Sequence, residues 1–151
     1  MSEKMTAAEI RTAIEGVYAM ESWHDGENTE ESPAADGRWV LVGDTMVSLL
    51  VKAAPDKSGL TIALWGHYMI EDGAFSYGYD GGNAFMQRPG GNGDLHPVPF
   101  GMVRRFEASR DGDTVLLAMA DGTAEFRVQG NRVEYREGGK LARRWRRIGT
   151  S

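Results

Sequence analysis

The chain has 151 residues, with 17 Lys and Arg against 22 Asp and Glu for a formal net charge of −5, and it contains no cysteine. That length suits one domain spanning residues 1–151. The acidic balance argues against nucleic acid as a partner, and the missing cysteine excludes disulfides, thiolate metal sites and a cysteine nucleophile. No apolar run reaches the roughly 18 residues of a membrane span, and no signal-like apolar stretch follows Met1-Ser2-Glu3-Lys4. The expectation is therefore a cytoplasmic protein with no membrane partner.

One helix is expected, over residues 6–15. Thr6 and Glu9 have the spacing of a capping box, Ile10, Ala13, Ile14 and Val17 form an apolar stripe, and Gly16 can end the helix. The apolar period then changes to two. Strands are expected at Val17–His24, Arg38–Val42, Thr45–Ala53, Leu60–Glu71 and Ala74–Tyr79, with an acidic, polar loop over residues 25–37. Residues 80–99, rich in glycine and proline, read as a long loop with a short strand at Ala84–Gln87. Further strands follow at Phe100–Ala108, Thr114–Met119, Thr123–Val128, Arg132–Arg136 and Lys140–Ile148, separated by turns such as Asp121-Gly122 and Gly138-Gly139. Twenty glycines in 151 residues, about twice the usual ~7%, fit so many turns. The fold class is all-β: an antiparallel up-and-down β-barrel of eight to ten strands with a short N-terminal α-helix.

Four segments carry a resemblance. Gly16-Val17-Tyr18-Ala19-Met20-Glu21-Ser22 resembles the opening Gly-x-Trp strand of lipocalin-like proteins, with Tyr18 in the tryptophan's place. Gly66-His67-Tyr68-Met69-Ile70-Glu71-Asp72-Gly73 is similar to their mid-chain Gly-x-Tyr hairpin. Arg104-Arg105-Phe106 with Asp111 to Leu117 looks like the following hairpin, and Trp145-Arg146-Arg147-Ile148 like the closing strand. The chain thus resembles the small bacterial lipocalin-like (calycin) group over about residues 14–148. The resemblance implies a barrel with an internal cavity and leaves the function open, because such barrels serve both carriers and enzymes.

Topology places a site independently of that resemblance. Alternate connections of an up-and-down barrel lie at one end, so the three longest, 25–37, 54–59 and 80–99, gather at a mouth. The tight turns gather at a floor, where the helix enters. Side chains alternate along a strand, and the apolar parity proposes an interior. It points Tyr18, Met20, Ser22 and His24 inward on the first strand, and Leu64, Gly66, Tyr68 and Ile70 on the fourth. Phe75, Tyr77 and Tyr79 follow on the fifth, Met102, Arg104, Phe106 and Ala108 on the sixth, and Phe126, Val133 and Tyr135 beyond.

Tyr18, Met20, Tyr68, Phe75, Met102, Phe106, Phe126 and Tyr135 are accordingly the expected ligand-binding residues. The ligand is expected to be small and mostly apolar, aromatic or polyketide- or terpene-like, with an oxygen or carboxylate. Should the barrel be an enzyme, Arg104 is the group to stabilise an anionic oxygen. His24, Tyr77 or Tyr79 would then exchange the proton, in a cofactor-independent cyclisation, isomerisation or dehydration. Each has a plain structural alternative: an ion-paired or outward arginine, a solvated histidine, tyrosines satisfied locally. His24, His67 and His96 lack metal-ligand spacing, so neither a metal nor a cofactor is expected. Arg143, Arg144, Arg146 and Arg147 alternate faces and do not make one basic surface for nucleic acid. Trp23 and Trp65, read as outward, are where a homodimer face would form. No acid–base pair stands out, so the binding reading leads.

Overall fold

The computed structural model describes residues 3–90, 92–97 and 103–150. Chain order gives β1 (Glu3–Lys4), α1 (Ala7–Ile14), β2 (Gly16–Asp25), β3 (Asn28–Glu30), β4 (Ala35–Val42), β5 (Thr45–Ala53) and β6 (Gly59–Glu71). It continues with β7 (Ala74–Gln87), β8 (Gly93–Pro97), β9 (Arg104–Asp111), β10 (Thr114–Ala118), β11 (Ala124–Gln129), β12 (Arg132–Glu137) and β13 (Lys140–Gly149). Ten of these strands form a closed antiparallel barrel in the order β2-β4-β5-β6-β7-β9-β10-β11-β12-β13, with β13 returning to β2. Closure comes where β7 meets β9, with Phe75 opposite Phe106 and Tyr77 opposite Arg104. The all-β barrel and its helix match the expected fold class, strand for strand in the barrel. No helix among the described residues is long and apolar enough to cross a membrane.

Residues 80–97 depart from the expected loop. β7 runs on to Gln87, still paired with β6, and also pairs with β8, so most of this segment is strand, and the short strand expected at Ala84–Gln87 is the end of β7. The glycines at 81 and 82 do not end the strand. They follow a β-bulge, for Trp65 lies opposite Gly81 while Gly66 lies opposite Tyr79, leaving Asp80 unpaired. The crossing is tight: a Cβ on Gly66 would stand 1.9 Å from the Gly78 carbonyl oxygen. Only glycine fits there.

The floor is built as the helix signals demand. Thr6 and Glu9 form the capping box, and Asp72 of the β6–β7 turn accepts the Ala7 amide at 2.8 Å. Ile10 and Ile14 face the barrel and are buried with Met5. Above them Tyr18, Leu41, Met46, Phe75, Phe106, Leu117 and Val133 fill the lower interior with essentially no exposure. Polar groups here are satisfied. Tyr18 donates to the Ile14 carbonyl at 2.7 Å, Tyr68 donates to the Glu15 carboxylate, and the Arg147 guanidinium donates to the Ala13 carbonyl and to the Tyr18 oxygen.

Candidate functional site

The upper half of the barrel is not filled. A cavity of about 300 Å³ opens toward the mouth, at the small end of the roughly 300–1,000 Å³ range of ligand pockets. Its apolar wall is Trp39 of β4, Leu50 of β5, Ile62 and Leu64 of β6, Phe126 of β11 and Trp145 of β13. Trp39 is stacked on Phe126, with ring centres 5.2 Å apart and planes within 6°. Strand alternation supplies this wall, because each residue occupies an inward position on its strand.

The polar wall is Ser48, Tyr77, Tyr79, Arg104, Tyr135, Glu137 and Arg143. Arg104 donates to the Tyr135 oxygen at 2.8 Å and reaches the Tyr77 oxygen at 3.5 Å. Tyr135 in turn donates to Glu137 at 2.6 Å, and Ser48 and Tyr79 share a hydrogen bond of 3.1 Å. Burial raises the Tyr77, Tyr79 and Tyr135 phenols above the ordinary value, Tyr79 to about 12. For Tyr135 the hydrogen bond to Glu137 pushes the same way. All three therefore stay protonated at neutral pH and keep an O–H to donate, which Tyr135 gives to Glu137. Burial acts against the Arg104 charge, but its bonds to Tyr77 and Tyr135 more than offset that and hold it a cation. What the arrangement can do is bind an apolar ring system and meet its oxygen atoms with phenols and guanidiniums.

Of the residues named from sequence, Arg104, Tyr77, Tyr79, Phe126 and Tyr135 stand on the cavity wall. Tyr18, Met20, Tyr68, Phe75 and Phe106 do point inward, but they lie in the filled interior below and do not line the cavity. Met102 lies outside the described residues. His67 faces outward and bonds Asp80 at 3.0 Å, and His96 is exposed on β8.

His24 needs a correction. The pairing of β2 with β13 passes from Met20 opposite Trp145 to Ser22 opposite Arg144, so Glu21 is the extra residue of a bulge. A bulge reverses the parity of everything after it. Trp23, expected outside, therefore packs toward the core against Arg143. His24 falls in an outer groove with Glu21, Glu31, Glu134 and Arg144. There its imidazole bonds Ser22 at 2.8 Å and Thr29 at 3.1 Å, and burial and the Arg144 charge lower its pKa. It does not line the cavity.

Sequence reading missed Trp39, Ser48, Leu50, Ile62, Glu137, Arg143 and Trp145. Parity held the signal for several of them. Trp39 alternates with Arg38, and Trp145 fixes an inward face on the last strand that also carries Arg143. Comparison of this chain with protein-family models, curated proteins and solved structures finds no match.

Proposed function

We propose that the barrel binds a small, mostly apolar molecule, aromatic or polyketide- or terpene-like, and acts as its carrier or sensor. The observation that carries this reading is the contrast inside one barrel: a filled floor beneath an unfilled, aromatic-walled cavity with a few convergent polar groups. Kinship with the lipocalin-like group is part of the proposal and accords with the closed antiparallel barrel. The catalytic alternative, a cofactor-independent cyclase, isomerase or dehydratase, is less well supported. His24 lies in the outer groove, and the cavity phenols hold their protons too tightly to serve as bases near neutral pH.

Titration with N-phenyl-1-naphthylamine, a neutral apolar fluorophore, tests the reading. Saturable one-to-one uptake is expected, with displacement by one chemical class of competitor. Folded protein that leaves the dye's fluorescence unchanged would show that the cavity does not take apolar molecules.

A further inference from the structure

Most arginines on the outer surface have a carboxylate. Arg144 reaches Glu134 at 3.2 Å, Arg38 reaches Asp36 at 3.1 Å and Arg127 reaches Glu125 at 3.3 Å. Arg104 and Arg143, the two in the cavity wall, form no ion pair among the described residues. Arg143 is held instead by ring faces: its guanidinium sits 5.0 Å from the Trp23 ring centre and 5.2 Å from that of Tyr135. Its Nε is buried without a hydrogen-bond partner among the described residues. Such a group costs free energy unless something completes it, whereas aromatic faces position a cation and leave its N–H edge available.

Both guanidiniums converge on Tyr135, Arg104 at its hydroxyl and Arg143 over its ring. Within the cavity wall two cations accompany one carboxylate, Glu137, which is engaged by the Tyr135 hydroxyl, while Asp121 feels the Arg104 charge from outside the wall. The wall is therefore one negative charge short of balance.

We infer that the ligand is a monoanion, an aromatic or polycyclic carboxylic acid, whose carboxylate lies between Arg104 and Arg143 beside the Tyr135 hydroxyl. This rests on the proposed binding function and adds to it the charge of the ligand and the residues that read it. The ring system lies on the wall formed by Trp39, Phe126, Ile62 and Leu64. Guanidiniums suit the head group because they match a carboxylate with paired N–H donors.

The test uses two probes of the same shape, 2-naphthoate and the neutral 2-naphthamide, titrated into the intact protein by calorimetry. The wild type is expected to prefer 2-naphthoate by at least about tenfold. Arg143→Met and Arg104→Met should each reduce that preference several-fold and still bind 2-naphthamide. Arg143→Lys should keep part of the preference, and Arg144→Met, next along the strand but outside, all of it. Equal wild-type affinity for the two probes overturns the inference, with no variant needed. So does a preference that survives in both methionine variants. In either case continued binding of 2-naphthamide leaves the carrier function standing and removes only the charge assignment. If 2-naphthoate, 2-naphthamide and N-phenyl-1-naphthylamine all fail to bind, both fall together.

Discussion

The floor and the mouth of this barrel are made from the same material and end in opposite states. Both halves are walled by inward-facing aromatic and aliphatic residues of the same ten strands. In the floor, α1 adds Ile10 and Ile14, Met5 packs with them, and the rings of Tyr18, Phe75 and Phe106 leave little space. Its polar groups are answered largely by the chain itself, as when Tyr18 donates to the Ile14 carbonyl. No helix among the described residues covers the mouth. Its phenols and guanidiniums bond mainly to one another, and one Nε has no partner among the described residues. The lesson is a division of labour along one axis: the lower half stabilises the barrel, and the upper half spends its apolar surface on a space.

That division can be broken by mutation, and the largest effect should come from the floor. Phe106→Ala should destabilise the fold by about 3–5 kcal/mol through lost burial and the void left behind. Any protein that stays folded should take up N-phenyl-1-naphthylamine as before. Urea unfolding with a parallel dye titration checks both halves of the statement. Gly66→Ala should cost about 1–3 kcal/mol, because its methyl group would run into the Gly78 carbonyl beside the Asp80 bulge. A stability equal to wild type would mean that the tight β6–β7 crossing is misread.

Thr6→Ala removes the hydroxyl that caps α1 and should cost about 1 kcal/mol, again with dye affinity per folded molecule unchanged. The pH profile sharpens the comparison, since Tyr68 near the floor and Tyr79 in the mouth are both raised to about 12, chiefly by burial. A phenol raised in the folded state contributes stability that is complete below its unfolded value near 10. That contribution is lost as pH climbs toward the folded value. Melting temperature should therefore fall between about pH 10 and about pH 12, and Tyr79→Phe should make the fall shallower. The smallest stability change is expected from Ile62→Phe, which grows into empty space. Unfolding free energy should stay within about 0.5 kcal/mol of wild type while dye uptake is lost.

How far the sequence could be read follows the same strands. Capping by Thr6 and Glu9, the hairpin turns and the ten-strand order were all legible, because each rests on chemistry local to a few residues. Strand parity was legible as far as the ladder is regular. It put Arg104, Tyr77, Phe126 and Tyr135 inward together. It failed for Trp23 and His24 because the bulge at Glu21 depends on how β2 registers against β13, more than a hundred residues away. The Asp80 bulge likewise turned two glycines that read as a terminator into the middle of a strand. Depth along the barrel was the other thing hidden. Tyr18, Phe75 and Phe106 have the right face but the wrong height, and height is set by how far α1 reaches into the floor. Arg143 was passed over because Arg143, Arg144, Arg146 and Arg147 were read only as alternating between faces, without settling which face is inward, although Trp145 two residues on marks it.

The central claim, that the mouth half takes a ligand and the floor half does not, is tested most directly by methyl NMR of the protein during titration with N-phenyl-1-naphthylamine. The account predicts that the methyl resonances of Leu50, Ile62 and Leu64 shift and saturate together while those of Ile10, Ile14, Leu41 and Leu117 hold their positions. Shifts led by the floor methyls, or no shifts in either set at saturating dye, would contradict it.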